Sequence, residues 1–208
     1  MSDFKSINVE NINIVDKDGN VRMRLFNNDH IPPAIMDGKD ILPGHRQDDP
    51  ISGVMFYNGE GDECVGLIFG SKRDEKGNYE SGASLTFDQY KQDQVVQIHY
   101  SDDNGQKDYG FSVYDRPNTP LPELMDKHNN IINSELSKEE KDRELDKIWE
   151  RNTRRAFMGK NSKGEVTLQI SDSKGNPRIR MVVDENDVPR VEFLDGEGNV
   201  TYKLPPEL

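Results

Sequence analysis

A short pattern recurs five times along the chain and restricts its fold more than any other feature of the sequence. Two apolar residues at alternate positions precede an Asp or Asn, and two variable residues, a Gly and a polar residue follow it. The copies contain Asp16–Gly19, Asn58–Gly61, Asp102–Gly105, Asp172–Gly175 and Asp195–Gly198. Apolar alternation is the period of a half-buried strand, and Asp or Asn followed by Gly three positions later is typical of a type I turn with a glycine bulge. Each copy therefore predicts a tight β-hairpin.

The same turns could instead be fragments of calcium-binding loops. An EF-hand loop requires oxygen ligands at alternating positions and a bidentate Glu at its twelfth position. Counted from Asp16, that position is occupied by Asn27, and the copy that begins at Asp172 contains Lys174. The acid content also varies from copy to copy. We therefore interpret the pattern as a turn and expect no metal or other cofactor.

Composition limits the core and the partners. Of the 208 residues only 32% are hydrophobic, which predicts a thin core: a sheet with one face in water, or a face covered by another subunit. A net charge of −12 disfavours nucleic acids and anionic membranes. The single cysteine, Cys64, excludes an intrachain disulfide, and neither a leader peptide nor an apolar run of membrane-spanning length is apparent. These features favour a soluble, cytoplasmic protein.

The coarse pattern predicts a mainly β protein with about twelve strands and one or two inserted helices near residues 119–155. Residues 1–117 form a hairpin region with a long Pro-rich loop at 27–50 and a polar loop at 71–82. Residues 118–156 form a helical insertion, with Thr119 before one helix and a capping box of Ser137 and Glu140 before a second at 137–157. Residues 157–208 form a C-terminal β-meander, packed with the first region as one domain. Similar hairpins gain stability by stacking, which leaves a barrel, a rolled sheet or an intertwined oligomeric prism open.

Three longer blocks carry a family resemblance. The chain contains GLIF at 66–69, GASLTFDQYKQDQ at 82–94 and VYDRP at 113–117. Together with the C-terminal meander, these blocks resemble a group of uncharacterised bacterial β-rich proteins over roughly residues 6–205. The resemblance implies a bacterial, soluble, β-rich protein, and it supplies no activity and no catalytic or binding residue.

The densest polar stretch, Thr86–Gln94, connects two strands without a Gly or Pro. We predict a ligand-binding site here that is formed by Asp88, Tyr90, Lys91, Asp93 and His99, because polar networks of this kind often line sites. The alternative is a solvated hairpin end whose charges protect a sheet edge. His30 and His45 share the Pro-rich loop with several Asp residues, but their spacing fits no metal motif.

Two functions remain open. The chain lacks a phosphate loop, a dinucleotide fingerprint and a nucleophile elbow, and acids rather than bases flank Cys64. We therefore expect a non-catalytic structural or interaction protein, a homo-oligomer with a possible protein partner that uses Leu145, Ile148 and Trp149 on the second helix as a contact. The alternative is a small-molecule-binding β-barrel protein, or a barrel enzyme, with its site near residues 86–99.

Overall fold

The computed structural model describes residues 5–46 and 49–206. Twelve strands form one antiparallel sheet, and β3 and β4 form a separate two-stranded hairpin. The strands are β1 (Asn11–Val15), β2 (Val21–Phe26), β3 (Ile35–Met36), β4 (Lys39–Asp40), β5 (Ile51–Tyr57), β6 (Glu63–Arg73), β7 (Tyr79–Asp88), β8 (Gln94–Asp103), β9 (Gln106–Asp115), β10 (Thr153–Lys160), β11 (Val166–Ser171), β12 (Pro177–Val183), β13 (Pro189–Leu194) and β14 (Val200–Leu204).

The order of strands in the large sheet is the order along the chain. Only the segment between β2 and β5 and the segment between β9 and β10 interrupt the succession of hairpins. The prediction of a mainly β antiparallel sheet with inserted helices is confirmed. A barrel closed within one chain is wrong, because β1 and β14 lie at opposite edges of an open sheet and do not pair with each other.

Seven of the connecting turns share one hydrogen-bonding scheme. The side-chain Oδ1 of an Asp or Asn accepts the backbone N–H groups of the second and fourth residues that follow it. The third residue takes a positive φ; it is Gly in six turns and Asp187 in the seventh. The scheme confirms the predicted turns, except the one at Asp102, and adds three that the sequence pattern missed. All seven begin with Asp16, Asn58, Asp74, Asn161, Asp172, Asp184 or Asp195.

The β8–β9 turn differs from the predicted one. Asp102 still lies in β8, and the turn consists of Asn104 and Gly105, whose φ angles are 52° and 92°. Two successive positive φ values define the type I′ turn, whose twist matches that of the flanking strands. The Asp102 carboxylate accepts the N–H of Gly105 at 2.8 Å, so it stabilises the turn from one position further back than predicted.

The predicted polar loop at 71–82 is instead the end of a long hairpin. β6 and β7 remain paired up to Arg73 and Tyr79, and only Asp74–Asn78 lies outside the strands. Polar side chains on both faces do not prevent pairing here, because the hydrogen bonds of the ladder join backbone N–H and C=O groups.

The helical insertion is shorter than predicted. α1 (Leu121–Ile132) begins after Pro120 rather than Thr119. The predicted capping box of Ser137 and Glu140 is confirmed at the start of α2 (Lys138–Ile148). α2 ends well before residue 157, because the chain from Thr153 onwards pairs with β9 on one side and β11 on the other. In the described part of the chain, no helix has both the length and the apolar character needed to cross a bilayer.

Candidate functional site

One face of the sheet carries two unbroken rows of apolar side chains, which we call the apolar face. In each row, every residue is the cross-strand partner of the next, so each row crosses all twelve strands. The first row is Ile14, Met23, Phe56, Val65, Phe87, Val96, Val113, Ala156, Ile170, Ile179, Phe193 and Tyr202. The second row is Ile12, Leu25, Val54, Leu67, Leu85, Ile98, Phe111, Met158, Leu168, Met181, Val191 and Leu204.

The apolar face is open to solvent in the single chain. Ile98, at its centre, is 50% exposed, Leu67 is 44% exposed and Met158 is 56% exposed. The two helices contact chiefly each other, so they do not cover these rows. The chain exposes 13932 Å² in all. A compact monomer of this mass exposes about 9,900 Å², so roughly 4,000 Å² is in excess.

The opposite face is mostly polar, and many of its charged side chains form ion pairs, whereas the buried atoms His99 Nδ1, Ser112 Oγ and Thr167 Oγ1 have no hydrogen-bond partner among the described residues. Arg190 pairs with Asp184 at 2.7 Å, with Glu165 at 3.1 Å and with Glu192 at 2.8 Å. Buried apolar side chains, among them Met55, Phe157 and Val182, interrupt this polar surface. An antiparallel sheet commonly has one face against a core and one face in water. Here the few buried apolar side chains of the sheet lie on the mostly polar face, and the apolar face stays exposed within the described part of the chain.

Two of the predicted site residues, Tyr90 and Lys91, lie in an ion cluster. The Lys91 ammonium contacts Asp37 at 2.5 Å, Glu60 at 2.6 Å and Asp62 at 2.8 Å, and the Tyr90 hydroxyl donates to Glu60 at 2.8 Å. Hydrogen bonds to Asp37 and then to Asp62 and Glu60 raise the pKa of Lys91. The cluster joins the Pro-rich segment, the β5–β6 turn and the β7–β8 turn.

Asp37, Glu60 and Asp62 also present the closest set of potential metal ligands among the described residues. The Lys91 ammonium already contacts each of these three carboxylates. Asp62, which is almost fully buried, additionally accepts the backbone N–H of Asp37 at 2.7 Å. We assign this group a structural role. Neither histidine of the Pro-rich segment belongs to this group. His30 contacts Asn27 and Glu10, and His45 lines a separate cavity. Asp48, an acid of the same segment, lies outside the described residues.

The other two polar residues of the predicted stretch, Asp88 and Asp93, line a cavity of about 390 Å³, which we call the end cavity. It lies between the Pro-rich segment, the β7–β8 turn and the two helices. Its charged and histidine side chains are Arg46, Glu63, Asp88, Asp93, Arg116 and His45. Its apolar side chains include Met36, Leu42, Leu121, Met125 and Trp149.

Both guanidinium groups of the end cavity are already paired. Arg46 makes a bidentate contact with Glu63 at 2.8 and 3.0 Å. Arg116 donates to the Gln94 carbonyl at 2.7 Å and to Asn152, and lies 3.4 Å from Asp93. The Asp88 carboxylate accepts no hydrogen bond from any described residue. Burial first, and then repulsion by Glu63 and Asp93, raises the pKa of Asp88 to about 7, against a smaller opposing effect of Arg116 and Arg46.

His99 belongs to neither group. It lies on the polar face, opposite to Ile98 as the alternation predicted, where its Nε2 is 2.6 Å from the Asp108 carboxylate. It lies five positions along strand β8 from Gln94, the partner of Asp88, which corresponds to roughly 17 Å. The sequence therefore predicted a single site from residues that the fold distributes over three places.

The helix residues predicted as a contact surface are only partly exposed in the single chain. Leu145 and Ile148 are half-buried in α2, which packs on α1. The Trp149 indole N–H donates to His128 Nδ1 at 3.2 Å, and the ring lines the end cavity. Sequence reasoning missed Arg46, Glu63 and Arg116 as cavity residues, because they come from distant segments that show no shared spacing.

Comparison with known proteins adds no relative. No protein-family model matches the chain, and no curated protein and no solved structure is significantly similar to it. Functional conclusions therefore rest on the apolar face and the end cavity themselves.

Proposed function

We propose that this protein is a non-catalytic structural subunit that assembles with other copies of itself, by packing their apolar faces together. The observation that carries the proposal is the pair of apolar rows that cross all twelve strands without a polar interruption. Apolar surface of this extent on a chain of net charge −12 is costly to leave in water.

The size of the face agrees with a stable interface. Twelve strands about 4.8 Å apart and two rows that each span about 7 Å along the strands give a flat area of roughly 800 Å² per chain. Two copies would bury about 1,600 Å² in total, within the ~1,200–2,000 Å² of a standard interface. Contacts outside the rows would add to this value, since the chain's excess surface is larger.

A second copy suits this face better than another partner. Packed sheets approach to about 10 Å and need apolar faces of similar extent on both sides. Another copy supplies a face with the same number of strands and the same rows, and it is present wherever the protein is made. A short peptide would cover only part of the twelve strands.

Ile98→Asp tests the proposal. Ile98 is half exposed in the single chain, so a carboxylate there costs the isolated subunit little. In a packed interface the same carboxylate loses its water, at a cost on the order of 3 kcal/mol, which weakens association about 100-fold. The matched control is Ser101→Asp, at an exposed position of the same strand on the opposite face.

Sedimentation velocity over a range of concentrations, with native mass spectrometry, measures the assembly. We expect the natural chain and Ser101→Asp to form an oligomer, and Ile98→Asp to dissociate while its far-ultraviolet circular dichroism is unchanged. A natural chain that stays monomeric at all concentrations contradicts the proposal. An Ile98→Asp variant that assembles as tightly as the control also contradicts it.

A further inference from the structure

The end cavity combines an apolar lining with one uncompensated carboxylate. Arg46 is neutralised by Glu63, and Arg116 by Asp93. Asp88 is the remaining charge, and its side chain has no hydrogen-bond partner within residues 5–46 and 49–206. A partly buried carboxylate without a partner is costly, so a group that supplies positive charge and N–H donors gains the most there.

The apolar part of the cavity combines aliphatic side chains with one aromatic ring. Leu121 and Met125 of α1 and Met36 of β3 line it together with Trp149. The indole N–H of Trp149 is already donated to His128, so the tryptophan offers the cavity ring surface rather than a free donor. Aromatic surface near a cation adds about 0.5–2 kcal/mol of attraction. The volume of about 390 Å³ lies within the range of small-molecule sites.

We propose that the end cavity binds a small organic ammonium ion, with the Asp88 carboxylate accepting hydrogen bonds from the ammonium and Trp149 contacting the apolar part of the ligand. This binding site is independent of the assembly proposed above. An anionic ligand fits the cavity less well, because it would have to separate Arg46 or Arg116 from its carboxylate partner.

Proton binding at Asp88 would compete with this ligand. The charged groups around Asp88 are Glu63 of β6, Asp93 of the β7–β8 turn, Arg116 beyond β9 and Arg46 of the Pro-rich segment, with His45 also lining the cavity. With the pKa of Asp88 at about 7, the carboxylate is mostly ionised at pH 8 and mostly protonated at pH 6. Affinity for an ammonium should therefore decrease about tenfold from pH 8 to pH 6.

The single tryptophan of the chain makes the test direct. We would titrate the full chain with 2-phenylethylamine, 2-phenylethanol and 3-phenylpropionate, which share a phenyl group and differ in charge, and follow Trp149 fluorescence. We expect saturable binding of the amine, at least about tenfold tighter than that of the alcohol or the acid. The preference should disappear in Asp88→Asn and persist in Asp103→Asn, an exposed carboxylate in β8.

Three results would overturn this assignment: equal affinity for the amine and the alcohol, an amine preference that survives in Asp88→Asn, or no saturable change with the amine up to about 10 mM. Circular dichroism of each variant verifies the fold. Sedimentation under the same conditions gives the oligomeric state during the titration, so a failure of ligand binding can be distinguished from a failure of assembly.

Discussion

The carboxylate of Asp88 should make the protein less stable as the pH rises, and Asp88→Asn should remove this effect. Asp88 ends β7, is partly buried and accepts no hydrogen bond from the described residues, while Glu63 and Asp93 repel its negative charge. Burial is the larger of these two causes. Asn keeps nearly the same shape and cannot ionise, so the substitution removes the charge and leaves the packing unchanged.

The sign and size follow from the shift in pKa. The pKa of Asp88 is about 7 in the folded chain, compared with 3.8 for a freely solvated Asp side chain, which represents the unfolded state. Between these values the folded state holds a proton that the unfolded state releases, so the free energy of unfolding decreases as the pH rises. The loss is complete above pH 7, and about three pKa units correspond to an upper bound of about 4 kcal/mol. Between pH 5 and pH 8 the stability advantage of Asp88→Asn should grow by up to about 3 kcal/mol.

Urea unfolding of both proteins at pH 5, 6, 7 and 8 measures this difference. The protein concentration must be held constant, because association contributes to apparent stability. Asp103→Asn is the matched control, since its exposed carboxylate should give a difference that hardly varies with pH. A difference between Asp88→Asn and the natural chain that is also independent of pH would refute the reasoning from burial and repulsion.

Three further substitutions test the fold. Gly110→Ala should lower the free energy of unfolding by at least about 2 kcal/mol, because an added Cβ would lie 2.4 Å from the Met158 carbonyl oxygen. Gly196→Ala is the control and should cost under about 1 kcal/mol, because the space around Gly196 is open. Equal melting temperatures of the two variants would contradict this. Lys91→Met should lower the melting temperature far more than Lys72→Met, because it removes the cation that three neighbouring carboxylates share, whereas Lys72 has a single exposed partner. A similar decrease in both variants would contradict the structural role of the cluster. Ser137→Ala should cost about 1 kcal/mol through loss of the capping box of α2, and unchanged unfolding in urea would contradict it.

The sequence itself determined the hairpins and the two-sided character of the sheet. The turns depend on contacts within five residues, such as those of Asp172 with Lys174 and Asn176, so a local pattern is sufficient to predict them. The alternation of apolar residues likewise places Ile98 and His99 on opposite faces without reference to any other strand. A low apolar content agreed with a core that the chain does not complete within itself.

Tertiary structure decided where α2 ends, which polar residues meet and that the sheet remains open. Strand pairing takes the chain from Thr153 onwards out of the predicted helix, and the backbone groups of this segment are paired with β9 and β11 instead of within a helix. Lys91 meets Asp37 across 54 residues, and Arg46 meets Glu63 across 17, and such distances carry no local signal. The end cavity exists because separate segments converge at one end of the sheet, so the sequence could select Asp88 but not its neighbours Arg46, Glu63 and Arg116.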